Sequence, residues 1–303
     1  MATSSFSSGV VDRNNTDHRY TRIIQEETQR ALWAANVCKK LCMQDSIEPD
    51  GGTLWYKNVQ STNTAAAALT ETQDLSNTQL NHTVVSIATA EVGAMTTISK
   101  WMTKTQVGRM RDLMYWAEIL GRSMSKKIDT DITALFSTLN SGTAAGSGSG
   151  DTDVMAALET ANFTLENNDA TVGLGHNVVG VLHPRTTHYL REQIYQRTRS
   201  NIIMQDFMSK KGIYADANGW VGEFMNIDLW QTTNVVDSSV GGSHRNAVFI
   251  PGRTLGFVEK YGLTPFTDAD PSLRATEVGI THAYGVGELE DSSGICVSID
   301  STP

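Results

Sequence analysis

Residues Gln106–Asn140, QVGRMRDLMYWAEILGRSMSKKIDTDITALFSTLN, carry the longest uninterrupted helical pattern in the chain. Apolar side chains fall at Met110, Leu113, Ala117, Leu120, Met124, Ile128, Ile132, Leu135 and Leu139. Every step is three or four residues, which lines them up on one stripe of a helix. Arg109, Arg111, Arg122, Lys126 and Lys127 lie largely off that stripe, as a solvated or partner-facing side does. Such a helix is about 50 Å long if straight, at ~1.5 Å per residue. Gly121 is the weak point where a bend has room to form. The run Ser141–Gly150, with four Gly and three Ser, stops the helix and makes a flexible connection. A long helix with chain folding back on both sides reads as a spine.

The chain of 303 residues is long enough for one large or two modest domains with a real core. Its 40% hydrophobic and 19% charged content is that of an ordinary globular protein. The net charge of −9 argues against a dedicated nucleic-acid binder, which carries a basic excess. It is compatible with a protein that encloses nucleic acid without gripping it. Cys38 and Cys42 stand one helical turn apart without a nearby His or a second pair, so with Cys296 they read as small apolar fillers and not as a zinc site. This usage suits a reducing place of synthesis. Met1–Asn15 lacks the basic patch and apolar core of a signal peptide, and no run approaches the ~18 apolar residues of a membrane span. The expectation is a chain that is soluble when made.

In order, Met1–Asp17 reads as a loose arm, and Asp17 can cap a helix from His18 to about Gln44. Ile23, Ile24, Ala31, Cys38 and Leu41 lie on one face of it; Leu32, Trp33 and Val37 widen the apolar surface, so it needs neighbours on more than one side. Pro49–Gly52 is a break. Thr53–Val59 reads as a strand, Ser61–Asn81 is polar and small, and His82–Ile98 returns to β-type residues. Strand, polar tip and returning strand make an extended hairpin with too little apolar surface to stand alone in water. The partner it lies on is expected to be another subunit.

Beyond the spine, Asp153 caps a helix with Met155, Leu158, Ala161, Phe163 and Leu165 on its face. Asn177–Leu182 is a continuous apolar run, as in a strand buried on both faces. His183-Pro184 ends it, and a helix follows through Tyr189, Leu190 and Ile194. Gly219–Trp230 alternates as a strand, Asn246–Ile250 is another apolar run, and Leu273–Tyr284 and Ile295–Ile299 are the last strands. Asn177–Lys260 therefore reads as one α/β domain.

The motifs for chemistry are sparse. Gly173-Leu174-Gly175 precedes its strand instead of following it and lacks a third glycine, which dismisses a dinucleotide site. The seven His residues form no HExxH and no metal-ligand spacing. His183 and His188 suit helix-capping or loop roles, and Ser243-His244 are adjacent, the wrong way to pair a nucleophile with its base. Asp268, Asp270, Glu288, Glu290 and Asp291 read as solvated surface charge. Thr198–Gly219 reads as a mobile loop. The balance of these residues favours a protein without an active site, cofactor or metal.

This order resembles the major capsid protein of tailed bacteriophages, the Hong Kong 97-type fold also used by encapsulins. Leu69-Thr70-Glu71-Thr72-Gln73 to Ser99 look like the family's extended loop, and Val107–Asn140 like its spine helix. Val178–Pro184, VVGVLHP, is similar to the axial-domain strand that leads into an HP turn. Trp220–Ile227 and Ala247–Phe257 resemble later axial-domain segments, and Arg274–Leu289 the strand that returns to the peripheral domain.

The resemblance implies an α+β fold in five parts. Residues 1–52 form an N-terminal arm with a helix, 53–98 the extended β-hairpin, 99–170 the peripheral domain with its spine, 171–262 the axial domain and 263–303 the return strands. It implies a structural virion protein, made in a host bacterial cytoplasm, that assembles as hexamers and pentamers into an icosahedral shell around double-stranded DNA. Partners are then copies of itself, a portal protein, and a scaffolding or decoration protein. Inter-subunit contacts fall to Ile23 and Trp33 of the arm, to Leu69, Glu71, Gln73, Asp74 and Leu75 of the hairpin, and to Arg109, Arg111 and Arg122 of the spine. Only about fifty residues precede the hairpin, which implies a separate scaffolding protein or none. No lysine occurs from Ser61 to Ser99, so covalent cross-linking from the loop is not expected. An encapsulin-like cargo shell is the alternative within the fold. A cytoplasmic α/β enzyme, with Thr198–Gly219 as a lid near Arg185, His188 and Arg191, is the rival from another class, and leaves the arm and hairpin without partners.

Overall fold

The computed structural model describes residues 26–28, 36–47, 51–60, 68, 71, 82–99, 101, 109–139, 153–168, 177–198, 219–236 and 243–300. In chain order the elements are β1 (Met43–Ser46), β2 (Leu54–Gln60), β3 (His82–Ala88), β4 (Ala90–Ser99), α1 (Arg109–Ala134), α2 (Val154–Asn167), β5 (Val178–Leu182), α3 (Pro184–Thr198), β6 (Trp220–Phe224), β7 (Ile227–Gln231), β8 (Ser243–Phe249), β9 (Leu255–Asp270), β10 (Ala275–Glu288) and β11 (Gly294–Asp300). The chain is α+β and divides into two compact units. The first joins Met1–Asn36, Glu91–Ile128 and Tyr261–Tyr284, and the second joins Val37–Ala90, Asp129–Lys260 and Gly285–Pro303. Its strands form a four-stranded sheet in the order β1-β9-β10-β4, a five-stranded sheet in the order β11-β8-β5-β7-β6, and the two-stranded pair β2-β3.

The spine forms where the periodicity places it. Ala117, Leu120, Met124, Ile128 and Ile132 are all buried. At Leu135–Ser137 the helix tightens to a 3-10 turn, with three residues per turn instead of 3.6. Phe136, four residues on from Ile132, faces inward and is fully buried, and the expected Leu135 is half-buried.

In the second unit β5 is buried along its whole length, as its uninterrupted apolar run requires. It pairs in parallel with β7 and antiparallel with β8. Leu158 and Leu165 of α2 and Leu190 and Ile194 of α3 join Val178, Leu182, Val248 and Ile250 in one apolar core. The Asp153 carboxylate accepts from the Ala156 N–H at 3.2 Å and caps α2 as the sequence predicts. Asp153→Ala is expected to lower stability by about 1 kcal/mol, read as a shift in thermal unfolding; an unchanged midpoint would refute a working cap. Phe163, expected on the inner face, is 66% exposed. It stands two residues past the buried Ala161, about 200° around the helix, and so points away.

Several segments depart from what the sequence predicts. Gly219–Trp230 is not one strand but the antiparallel hairpin β6–β7, turning at Met225 and Asn226 with φ of 50° and 63°. Alternation survives the turn because Phe224 and Ile227 pair and are both buried, and neither turn residue is the glycine that marks most such turns. The helix expected to reach Gln44 does not. Glu26–Thr28 are helical, but Cys38–Leu41 is a 3-10 turn, and β1 then runs parallel to β9, from Met43 opposite Gly256 to Ser46 opposite Glu259. The Val37 and Cys38 N–H groups, which an α-helix would use internally, donate to Asp129 instead. A third departure is β9, which the sequence reading passed over because glycine and Pro265 interrupt it. Beyond Glu259, among the described residues, β1 no longer lines that side of β9, so a proline there removes no ladder bond from β1.

The hairpin β2–β3 is antiparallel, with Trp55 opposite Ile87 and Lys57 opposite Val85. Trp55, Val85 and Ile87 pack with Met43, Ile47, Val258 and Leu289. The returning strand was expected to continue to Ile98. It ends at Ala88, where Thr89 donates to the Thr53 carbonyl at 2.8 Å, and β4 joins the other sheet. Gly285 lies against this corner, and a Cβ there would stand 2.3 Å from the Ala88 carbonyl oxygen. Backbone cannot swing aside as a side chain can, so Gly285→Ala is expected to destabilise by about 1–3 kcal/mol. Unfolding in urea measures it, and a wild-type midpoint would refute the close approach.

Candidate assembly surfaces

With one face of the β2–β3 hairpin buried, its period of two puts Leu54, Tyr56 and Asn58 on the other face with Val84, Ser86 and Ala88. Leu54 is 47% exposed, Tyr56 60% and Val84 56%, and none of the six residues is charged. Sheets that face water commonly carry polar side chains on the open face; this one exposes Leu54, Tyr56 and Val84 beside Asn58 and Ser86. In the first unit, Tyr115 and Ile119 are exposed one turn apart on α1, and Arg122 continues their stripe. Leu273, 63% exposed, stands in the turn between β9 and β10. Asp270 braces that turn by accepting from the Ser272 hydroxyl and from the Ser272 and Leu273 N–H groups, which hold its carboxyl below the usual range.

Of the contact residues expected from the sequence, Ile23, Trp33, Leu69, Gln73, Asp74 and Leu75 lie outside the described residues. Glu71 is exposed. Arg109 and Arg111 lie in the first turn of α1, with side chains outside the described set. Arg122 is exposed and ion-paired with Glu118 one turn back at 2.6 Å. The loop Thr198–Gly219 lies almost wholly outside the described residues. Leu54, Tyr56 and Val84 were not singled out from sequence. The signal was there in the alternation of Thr53–Val59, but both faces of that strand are apolar enough that sequence does not say which is buried.

Among the described residues, several of the chemistry-bearing side chains have structural partners. His183 Nδ1 accepts from the Arg185 N–H at 3.2 Å, a helix-capping role at the start of α3, and its ring stacks on His244 with centroids 3.6 Å apart. Among the described residues no group of three His, Cys, Asp or Glu side chains is placed to hold a metal ion. The acidic residues expected as solvated charge are partly structural. Glu290 pairs with Arg253, with one oxygen 2.7 Å from Nη2. Glu288 accepts from the Thr138 hydroxyl at 2.8 Å, and burial together with Asp291 pushes its carboxyl up. Cys38, Cys42 and Cys296 are buried free thiols; burial, then Asp129, pushes Cys42 up to about 12.

One buried carboxylate escaped the sequence reading. Asp129 of α1 sits one residue past the stripe at Ile128 and is fully buried. It accepts from the Val37 N–H at 3.3 Å, the Cys38 N–H at 3.1 Å and the Asn234 amide at 3.5 Å. Burial raises its carboxyl from 3.8 to about 6, against the pull of those hydrogen bonds. Thr133, one turn on, donates to the Asn234 carbonyl at 2.8 Å.

No protein-family model and no curated protein sequence matches the chain. Solved structures do. The capsid of the cyanophage P-SCSP1u superposes with a TM-score of 0.63 at 15% identity, covering 87% of this chain and 88% of that one. The capsid of Ralstonia phage GP4 gives 0.63 at 13% identity over 87% and 88%. A virus-like particle from Pyrococcus furiosus gives 0.59 at 8% identity over 93% and 99%. The chain has the phage-capsid fold of the Hong Kong 97 type.

Proposed function

We propose that this chain is a major capsid protein of a tailed bacteriophage, whose copies assemble as hexamers and pentamers into an icosahedral shell around double-stranded DNA. The observation that carries the reading is the likeness to phage capsids over nearly the full length of both chains. The outer hairpin face fits it, because an uncharged surface with Leu54, Tyr56 and Val84 exposed can be covered by a neighbouring subunit without stranding a charge. The five parts named from sequence then take their roles as arm, overlapping hairpin, spine, axial domain and return strands. The described and undescribed contact residues alike, from Ile23 and Trp33 to Arg122, are assigned to subunit contacts. Around the five- and six-fold axes the contact is heterologous and closes into rings. The acidic subunit suits a container whose DNA must leave again. A portal protein fits one vertex, and a separate scaffolding protein the growing shell.

The test is to express the chain alone and with its neighbouring genes, measure particle mass by light scattering and image the same samples. Closed megadalton shells support the reading, and a 33 kDa species under both conditions overturns it. The likeness to the virus-like particle from Pyrococcus furiosus favours a second reading, an encapsulin-like shell around protein cargo. Nuclease-protected DNA inside purified particles selects the first, and co-purifying cargo protein without DNA the second.

A further inference from the structure

We propose that Asp129 is a proton-sensitive strap: its buried carboxyl group holds the segment Val37–Cys38 on the end of α1, tightly when protonated and loosely when ionised. The inference concerns the fold of the second unit and stands whether or not the chain builds shells.

The geometry carries it. The side chain is fully buried, and its three donors, two backbone N–H groups and one amide, are all neutral. No ion pair to Asp129 exists among the described residues. A buried carboxylate without a counter-cation is disfavoured in its charged form. A protonated carboxyl keeps three of its roughly four acceptor positions, enough for these three donors, so proton uptake removes the charge without giving up the strap. Among the described residues, the charged and titratable groups facing it are few. On the strap itself are Lys40, whose charge only weakly favours the ionised form, and the Cys38 and Cys42 thiols, which stay neutral. Lys39 is engaged with Glu259 at 3.2 Å. From the 232–236 segment comes Asn234, which is neutral.

When Val37–Cys38 lifts away, Asp129 meets water and its carboxyl returns to the ordinary 3.8. The strapped form, with the carboxyl at about 6, therefore binds the proton more tightly than the open form. Its proton-linked stability is fully present below 3.8 and is lost as the pH rises through about 6. Two units of difference change the opening equilibrium by on the order of 100-fold. Mild acid fixes Val37–Cys38 on α1, and neutral solution loosens it.

Amide hydrogen exchange on the full-length chain at about pH 5 and about pH 7.5, corrected for intrinsic rates, tests this. Protection of the Val37 and Cys38 amides is expected to fall by about 10-fold between the two, since at about pH 5 only part of the proton linkage between 3.8 and about 6 is realised, while β5 holds its protection. Asp129→Asn is expected to remove the pH dependence at Val37–Cys38. Equal protection at both pH values in the wild type, or an unchanged dependence in the variant, overturns the proposal. Should the variant fail to fold, the wild-type thiols give an independent reading. Modification of Cys38 and Cys42 relative to Cys296, corrected for thiolate fraction, is expected to rise with the same pH step, and a constant ratio overturns the strap.

Discussion

Tyr56→Glu and Val84→Glu together are expected to abolish shell formation while leaving the subunit folded. Both side chains lie on the outer face of the β2–β3 hairpin and are more than half exposed. In the free subunit two new carboxylates there stay hydrated, so each is expected to change stability by no more than about 0.5 kcal/mol. Against a neighbouring subunit the same carboxylates lose their water without gaining a cation, at about several kcal/mol each. The two positions are diagonal neighbours across the strand pair, since Tyr56 faces Ser86 and Asn58 faces Val84, so their charges also repel. The readout is paired: thermal unfolding of the subunit, expected unchanged, and light scattering, expected to lose its megadalton species. Shells at wild-type yield would remove this face from the assembly surface.

Phe249→Ala is expected to act the opposite way, through the fold. Phe249 is fully buried at the end of β8, opposite Val179 of β5 and Gly294 of β11. Its ring is 6.0 Å from that of Phe136, tilted by 44°. Emptying that site removes a large apolar side chain from between two strands and the end of the spine, and a sheet paired on both sides has little room to collapse. The expected loss is about 3–5 kcal/mol, a drop in melting temperature on the order of 10 °C. A drop below about 2 °C, less than 1 kcal/mol for a domain of this size, would place Phe249 outside the structural core. The two variants separate the surface from the scaffold: one keeps the melting curve and loses the shell, and the other loses both.

The elements legible from sequence are those whose burial is one-sided or complete. The stripe from Ala117 to Ile132 announces α1, and VVGVL announces β5, because in each the apolar spacing matches one period only. Asp153 announces the start of α2 for the same local reason, a cap that needs no distant partner. What escaped depends on distant chain. Val37–Leu41 has helical spacing, but Asp129, some ninety residues away, takes its amide donors. β1 exists because β9 offers an edge, and neither strand is strongly β-like alone. Met225–Asn226 turns without glycine because the flanking strands hold it. At the candidate surface, the alternation in β2 shows that the strand has two faces. Which one is buried depends on Met43, Val258 and Leu289, which lie far off in sequence.

Among the described residues the exposed hairpin face is small, and that has a kinetic consequence. Three half-exposed side chains offer only about 200–300 Å² of apolar surface, worth about 5–8 kcal/mol at ~25 cal/mol per Å² before the cost of association is subtracted. A single contact of about 4 kcal/mol corresponds to millimolar affinity, so two subunits meeting through it alone part again quickly. In the proposed shell a misplaced subunit is therefore expected to detach before it is locked in, and only a copy held by several neighbours at once to stay. Such a system has a threshold concentration. For the proposed shell, the chain is expected to remain as free subunits below it, and above it closed particles are expected to accumulate while the free pool stays nearly constant.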